Sequence, residues 1–410
     1  MHIYRAESNE SIYDIAGEYG VSPIKIAEDN ELEIRGRLPR GREVLILTPS
    51  RTYNVKSTDT LAKIAERFKT SKESLMRLNP ELNGRERLYS GQLLTIKEST
   101  PSYGMISANG YLYAGVQKER LTAIMPYLSY VTVCAAVYKD AHVHTLFRCE
   151  EIVSYVKSAG RAPILRVYLA ELPENDREVD FASSISILAR SGGFAGVTIS
   201  SLNTVSDDKE RLDSIVFTAR KTLMQSDLLL FAEGDLEGDT SYMEYADAGI
   251  LTYDKIHRAD APGFDEGERA ALESFAYSGE SSRAFVEMSS FAYSSGKYVE
   301  KREALRILDK RRADISYDAD KKMLCASYGK HKRRETVLES LENTKAKLEL
   351  VSELGFMGIS FDIGRICTPD LMLGASMFDL ISAPVMTKRC DAEAMSSRTF
   401  RYTPRSSAIR

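Results

Sequence analysis

The sequence predicts an α/β protein, a (β/α)8 TIM barrel preceded by two small α+β modules. Two observations support this prediction: an internal repeat near the N-terminus, and short apolar runs that alternate with helical stretches in the rest of the chain. With 410 residues, 43% of them hydrophobic, the chain can form two or three domains and at least one large core. We place the modules at 2–48 and 51–97, the barrel at 101–385 and a basic tail at 386–410.

The charge balance excludes several classes of partner. The 55 basic and 59 acidic residues are interspersed and give a net charge of −4, so no overall field favours nucleic acid or an anionic membrane. The N-terminal sequence lacks the apolar segment of a secretory signal, and there is no run of about 18 apolar residues. We expect cytoplasmic synthesis without a Sec-type signal peptide, no membrane or nucleic-acid partner, and no cofactor.

The two N-terminal modules are copies of one repeat. A shift of 49 residues aligns them, with one further residue inserted late in the second copy. The matching pairs include Tyr4 with Tyr53, Ile12 with Leu61, Ile15 with Ile64, Asn30 with Asn79 and, after the insertion, Gly41 with Gly91.

Each module is predicted to fold as strand, helix, helix, strand. In the second copy, a strand at 53–56 leads to the polar turn 57–60, whose side-chain oxygens can cap the helix that follows. The apolar residues of that helix form one stripe with i, i+3, i+4, i+7 spacing: Leu61, Ile64, Ala65 and Phe68. Second helices begin near Ser22 and Ser71, and closing strands lie at 43–47 and 92–96.

The repeat resembles the LysM domain. The resemblance spans the second copy and rests on Tyr53-x-Val55, Asp59-Thr60-Leu61, Ile64-Ala65, Leu78-Asn79-Pro80 and Gly91-Gln92-x-Leu94-x-Ile96. LysM domains bind N-acetylglucosamine polymers such as peptidoglycan and chitin, in a groove between the first strand-helix turn and the turn after the second helix. The resemblance implies glycan contacts at Ser57, Thr58, Asp59, Thr60, Leu61, Leu78, Asn79 and Pro80 and, in the first copy, at Ser8, Asn9, Glu10, Ser11 and Asn30.

The first copy departs from the family pattern. Ser8-Asn9-Glu10-Ser11 replaces the Asp-Thr turn, and Asp29-Asn30 replaces the preferred Leu-Asn pair. The alternative interpretation is that these polar turns only cap helices. Two linked weak sites gain affinity on a polymer, which favours glycan binding.

The remainder of the chain carries eight strand candidates separated by helical stretches. They lie at 104–109, 130–137, 163–169, 195–200, 228–233, 249–253, 284–288 and 357–362. Short apolar, β-branched runs of this kind are typical of parallel strands covered on both faces, and eight of them favour a barrel over a doubly wound sheet. An insertion at about 289–330 is predicted to contain a hairpin formed by 314–318 and 323–328.

Barrel enzymes place their chemistry at the C-terminal ends of the strands. The candidate residues at those positions are Glu171, Glu233, Asp235, Tyr253, Asp254, Glu287 and Asp362.

The segments 193–200, 251–254 and 345–361 resemble glycoside hydrolase family 18, particularly the LysM-bearing N-acetylglucosaminidases that degrade bacterial spore cortex. That family carries D-x-x-D-x-D-x-E on its fourth strand, where the Glu protonates the glycosidic oxygen and the substrate's acetamide attacks. This chain has Ala195, Thr198, Ser200 and Leu202 at the four acidic positions. Because general acid catalysis is worth about 10²- to 10⁴-fold, we expect the family's mechanism to be lost.

The sequence therefore predicts a peptidoglycan-binding protein with an inactive family 18-like barrel, acting in the spore cortex or coat. A residual barrel pocket is predicted around Glu233, Tyr253, Asp254 and Glu287. Tyr253 and Asp254 resemble the family's sixth-strand segment, which binds the N-acetyl group, and the alternative is that they are an ordinary strand-end pair. One alternative is an active N-acetylglucosaminidase that uses a relocated carboxylate such as Glu233 or Glu287. A second is a structural coat protein held by other spore coat or cortex proteins.

Two further patterns do not point to a site. His142 and His144 lie on one side of an extended segment, yet no nearby Cys or Asp has metal-ligand spacing, so no metal is predicted. The basic runs 310–312 and 330–334 occur in mixed-charge regions and indicate solvated surface.

Overall fold

The structure, a computed structural model, describes residues 1–7, 10–98, 103–201, 209–236, 238–253, 264–288, 291–329 and 333–380. Within these residues, no helix is both long and apolar enough to cross a bilayer. Leu202, Asp254, Ser8, Asn9 and the predicted basic tail lie outside the described residues.

Each N-terminal module has the predicted order of elements. The first contains β1 (His2–Arg5), α1 (Ile12–Tyr19), α2 (Pro23–Asp29) and β2 (Glu43–Ile46), and the second contains β3 (Pro49–Asn54), α3 (Leu61–Phe68), α4 (Lys72–Leu78) and β4 (Leu93–Glu98). Each pairs its two strands antiparallel, with Tyr4 opposite Val44 and Tyr53 opposite Leu94. The predicted apolar stripes form two separate small cores, one in each module.

The module helices begin where the sequence supplies caps. The Ser11 side chain accepts a hydrogen bond from the Asp14 backbone N–H, and the Asp14 carboxylate accepts one from the Ser11 N–H, which completes a capping box. Thr60 caps α3 through the Lys63 N–H. The α2 helix starts with Pro23 after the cap residue Ser22.

The large domain is a closed barrel of eight parallel strands. They are β5 (Met105–Leu112), β6 (Tyr130–Lys139), β8 (Ala162–Leu169), β9 (Gly196–Ser200), β10 (Leu229–Asp235), β11 (Ala248–Thr252), β12 (Ala284–Glu287) and β18 (Gly358–Asp362). Each pairs with the next, and β5 pairs with both β18 and β6. This closure confirms the predicted barrel and excludes the doubly wound sheet.

Helices surround the barrel. They are α5 (Lys118–Ile124), α6 (Glu150–Ser158), α7 (Glu178–Ser191), α8 (Lys209–Gln225), α9 (Glu266–Tyr277), α11 (Leu341–Glu353) and α12 (Thr368–Met377). A 3-10 turn, Ser241–Tyr245, follows β10. Two short strands add to the sheet: β7 (His142–Thr145) forms a hairpin with β6, and β19 (Asp379–Leu380) pairs with β5.

The insertion between β12 and β18 is larger than a hairpin. It contains β13 (Phe291–Ser294), β14 (Lys297–Glu300), α10 (Lys301–Arg311), β15 (Ile315–Asp318), β16 (Met323–Tyr328) and β17 (Arg334–Glu339). The predicted hairpin corresponds to β15 and β16, which pair antiparallel. The structure extends the insertion to Glu339, because β17 pairs with both β13 and β16 in one five-stranded sheet.

The barrel interior has an apolar layer below a polar one. Tyr130, Phe231 and Phe285 are fully buried, and their ring centroids lie 5.3 to 6.1 Å apart. Nearer the C-terminal strand ends, the inward positions become polar, as at Arg166 and Glu233. A packed floor with polar groups above it is the arrangement in which barrels place binding or catalytic residues.

Candidate functional site

In the second module, the turn 57–60 is exposed and held in shape by a tyrosine-carboxylate contact. Tyr53 Oη donates to Asp59 Oδ2 at 2.7 Å, and the Lys56 backbone N–H donates to the same oxygen at 2.9 Å. The hydrogen bond from Tyr53 lowers the pKa of Asp59, so the carboxylate is ionised at neutral pH. The side chains of Ser57 and Thr58 are exposed, which leaves their hydroxyls free to meet a sugar.

The first module makes the same tyrosine-carboxylate contact with a longer acid. Tyr4 Oη donates to Glu10 at 2.9 Å, and the Glu7 backbone N–H donates to Glu10 Oε2 at 2.7 Å. These contacts match those of Tyr53, Lys56 and Asp59 position by position. The substitution of Glu for Asp therefore preserves the local hydrogen bonding.

The two repeat asparagines have a structural role. Asn79 Nδ2 donates to the Leu75 and Thr95 carbonyls at 2.7 and 2.8 Å, and Asn79 Oδ1 accepts from the Thr95 N–H at 2.7 Å. Asn30 makes the same three bonds, with Ile26 and Leu45, at 2.9, 2.8 and 2.7 Å. Both are buried, so their amide groups fix the closing strand to the second helix.

The other predicted residues of the second groove differ in accessibility. Leu61 is buried in the small core, whereas Leu78 and Pro80 are half-buried. The Thr60 hydroxyl caps α3 by accepting from the Lys63 N–H at 3.3 Å. The exposed residues of the predicted contact set are thus Ser57, Thr58 and Thr60, and the Asp59 side chain lies beneath them.

In the barrel, the fourth strand β9 carries small polar side chains on its inner face. Val197 and Ile199 pack with the outer helices, and alternation along the strand places Thr198 and Ser200 toward the interior. Ala195 precedes the strand. Neither inward residue is an acid, so the described part of this strand offers no proton donor of carboxylic type.

Glu233, on the next strand, is held by an arginine. Arg166 Nε donates to Glu233 Oε2 at 2.6 Å and Arg166 Nη2 donates to Glu233 Oε1 at 3.2 Å, while Nη2 also donates to Ser200 Oγ at 2.8 Å. The Glu233 side chain is only 3% exposed. In this buried bidentate pair, both carboxylate oxygens of Glu233 are engaged by Arg166.

Glu287 is the carboxyl group best suited to carry a proton. Burial raises the pKa of Glu287 to about 7, and the neighbouring Glu233 carboxylate adds to the shift. Lys347 opposes the shift; its ammonium group donates to the Glu287 carbonyl oxygen and to Glu268. Near neutral pH, Glu287 is therefore divided between its protonated and ionised forms.

Two of the remaining strand-end candidates, Asp362 and Glu171, hold local structure. Asp362 Oδ1 accepts from the Gly364 N–H at 2.8 Å, and burial raises the pKa of Asp362. Glu171 accepts from the Ala141 N–H at 2.8 Å and holds the β6–β7 hairpin. Tyr253 and Asp235 are half-buried beyond the ends of their apolar runs.

The described residues contain no group of three or more His, Cys, Asp or Glu side chains placed to hold a metal ion. His142 Nδ1 lies 2.7 Å from the Asp140 carbonyl oxygen, and His144 Nε2 lies 3.0 Å from that of Lys139. Each imidazole thus uses one nitrogen on the hairpin backbone.

Sequence reasoning missed Arg166, which organises the barrel mouth. It also stacks near two tyrosines, with its guanidinium carbon 5.6 Å from the Tyr111 ring centroid and 5.9 Å from that of Tyr168. The available signal was a single charge within the apolar strand at 163–169, where a buried arginine requires a carboxylate partner.

Comparisons with known proteins agree with this architecture. The LysM family profile matches residues 4–46 and 53–97. The crystal structure of the spore cortex-lytic enzyme SleL from Bacillus cereus matches with a TM-score of 0.69 at 18% identity, covering 93% of this chain and 99% of that chain. SleL from Bacillus megaterium gives 0.68 at 19% identity, with coverages of 93% and 98%.

A chitinase from Chromobacterium violaceum matches with a TM-score of 0.55 at 14% identity, covering 66% of this chain and 98% of that chain. No curated protein has significant sequence similarity to this chain. At these identities, the structural matches establish a shared fold. The chain therefore consists of two LysM domains followed by a (β/α)8 barrel with the fold of the spore cortex-lytic enzyme SleL and of bacterial chitinases.

Proposed function

We propose that this protein binds peptidoglycan or a related N-acetylglucosamine polymer through LysM domains, and that its barrel serves as a binding or scaffolding body without family 18 catalysis. The LysM domains imply glycan binding of this class. The observation that carries the proposal is the exposed turn 57–60, preformed by the bond between Tyr53 and Asp59.

The barrel chemistry supports the second half of the proposal. The inner face of β9 presents Thr198 and Ser200, and the adjacent Glu233 is engaged by Arg166 through two hydrogen bonds. A carboxylate whose two oxygens both accept from one guanidinium is poorly placed to protonate a glycosidic oxygen. We place the protein in the spore cortex or coat, in line with the origin of the SleL structures that share its architecture.

Cosedimentation with purified spore-cortex peptidoglycan tests the binding. The Thr58→Ala variant keeps the backbone carbonyl that accepts from Lys63, so it should fold normally and lose one sugar contact. We expect its dissociation constant to rise about 2- to 10-fold. The control is Glu66→Gln, which alters an exposed residue of α3. If the wild-type protein stays in the supernatant, the proposal is wrong and a coat protein held by other proteins is favoured.

A second candidate function is hydrolysis with Glu287 as the general acid. The observation that favours it is the pKa of Glu287, raised by burial to about 7. The test is release of reducing ends from the same peptidoglycan. Release that falls at least 100-fold in Glu287→Gln, and that declines in wild type as the pH rises above about 7, would establish this activity. If no reducing ends are released, the glycan-binding role stands without hydrolysis.

A further inference from the structure

The first LysM domain places two carboxylates at the N-termini of two barrel helices. Glu43 Oε2 accepts from the Leu341 N–H at 2.7 Å, at the first residue of α11. Glu31 Oε1 accepts from the Thr368 N–H at 3.3 Å and from its hydroxyl at 2.5 Å, at the first residue of α12. The cap residue of α12, Cys367, supplies no side-chain hydrogen bond, so Glu31 takes over that role.

Basic residues compensate both carboxylates. Arg120 Nη1 lies 3.2 Å from Glu31 Oε1, and Arg302 Nε lies 2.7 Å from Glu31 Oε2. Arg5 Nη2 lies 3.1 Å from Glu43 Oε1 and 2.9 Å from Glu342 Oε1. The contact therefore joins the first LysM domain to α5, α10, α11 and α12 through paired charges.

The backbones of the two bodies also touch. The Ile315 N–H in the insertion donates to the Arg40 carbonyl at 2.9 Å, and Arg42 Nε donates to Asp309 at 3.0 Å. Leu45 and Leu47 belong to the barrel's main hydrophobic core. An interface that combines a shared core, a backbone hydrogen bond and partly buried ion pairs is that of a permanent structural unit.

The second LysM domain lacks these contacts because its residues differ at the same repeat positions. Arg5, Glu31, Arg42 and Glu43 correspond to Asn54, Pro80, Gln92 and Leu93. Leu93 is 55% exposed, whereas Glu43 is 2% exposed. The residues that bind the barrel thus occur in the first copy and are not repeated in the second.

The same contact covers one side of the first groove. The turn after α2 contains Glu31, which is bound to α5, α10 and α12, and the preceding Asp29 is ion-paired with Lys25. Lys25 Nζ also lies 3.2 Å from Glu98 at the end of the second LysM domain. Little of this turn remains available for a sugar.

We propose that the first LysM domain is an integral part of the barrel, which caps α11 and α12 and has the α2 side of its glycan groove covered, so that only the second LysM domain binds glycan. The statement about glycan rests on the proposed function, whereas the structural role does not. The domain thereby fixes the position of the second LysM domain relative to the barrel mouth.

Thermal unfolding of the full chain tests the structural role. The double variant Glu31→Gln/Glu43→Gln removes two charges and retains the side-chain volumes. The control variant is Glu33→Gln, which changes an exposed acid of the same domain. We expect the main transition of the double variant to fall by on the order of 5 °C, with faster amide exchange at Leu341 and Thr368. The control should melt as wild type does. Equal melting and equal exchange in all three proteins would overturn the structural role.

Peptidoglycan cosedimentation with matched variants tests the covered groove. Glu10→Ala and Asp59→Ala remove the equivalent turn carboxylates of the two copies. We expect Asp59→Ala to reduce retention more than 5-fold and Glu10→Ala to leave it within 2-fold of wild type. Equal losses would show that both grooves bind and would overturn the proposal about glycan. If wild type itself is not retained, the proposed function fails, while the melting experiment still decides the structural role.

Discussion

The two LysM domains have the same internal architecture and opposite surroundings. Inside each, a tyrosine bonds the turn carboxylate and an asparagine fixes the closing strand with three hydrogen bonds. Outside, the first domain shares its core and its charges with the barrel, whereas the second exposes the corresponding surface. The difference shows that a binding repeat can become a structural element through changes confined to its outer residues.

The largest expected effect contrasts two equivalent glycines. Both have a positive φ, +77° at Gly41 and +85° at Gly91. A Cβ atom added at Gly41 would lie 1.8 Å from the Ile315 carbonyl oxygen, whereas a Cβ atom added at Gly91 would have no neighbouring atom within 4 Å. Gly41→Ala should destabilise the protein by about 4 kcal/mol through strain and separation from the barrel. Gly91→Ala should cost about 1 to 2 kcal/mol. Chemical denaturation measures both, and equal costs would contradict the close contact.

A second contrast concerns the closing strands. Leu45 is fully buried in the barrel core, and its counterpart Thr95 is half-buried. Leu45→Ala should cost about 3 kcal/mol because it leaves a cavity. Thr95→Ala should change the free energy of unfolding by less than about 0.5 kcal/mol, since only its backbone bonds to Asn79. A small effect at Leu45 would show that the domain is only loosely attached.

The interior of the repeat should respond equally in both copies. Asn30→Ala and Asn79→Ala each leave a strand N–H and carbonyl without their partner, which should cost about 2 kcal/mol. Urea denaturation, with amide exchange at Leu45 and Thr95 to assign each loss to its domain, would measure these losses. A difference above about 1 kcal/mol would indicate that the barrel supports one copy internally as well.

The smallest expected effect is at the rim of the interface. The Arg5 guanidinium carbon lies 3.5 Å from the Tyr317 ring centroid, whereas the counterpart Asn54 is exposed. Arg5→Ala should destabilise by about 1 kcal/mol, less at high salt, and Asn54→Ala by close to zero. Thermal melts at two ionic strengths check this, and a salt-independent loss would assign the effect to packing alone.

The sequence predicted the local structure better than the contacts between domains. The stripe of Leu61, Ile64 and Ala65 and the cap at Thr60 are encoded within a few residues, and the eight apolar runs correspond closely to the barrel strands. The full insertion escaped prediction because β13 pairs with β17 across more than 40 residues. The sequence also does not predict that charged residues such as Glu31 and Glu43 cap distant helices.

At the barrel mouth, too, the sequence predicted the residues but not the contacts between them. Glu233 and Glu287 were both identified at strand ends, but Glu233 accepts hydrogen bonds from Arg166, whereas burial raises the pKa of Glu287. Such a distinction depends on three strands meeting in space. The spacing of these residues along the chain does not predict this difference.

The caps on α11 and α12 also set an order of events during synthesis. Glu43 and Leu341 are 298 residues apart, and Glu31 and Thr368 are 337 apart. At about 5 to 20 residues per second, the first domain waits roughly 20 to 70 s on the ribosome before α12 is made. During that interval Leu45 and Leu47 lack their final partners, so the nascent chain exposes an apolar strand that chaperones are expected to cover.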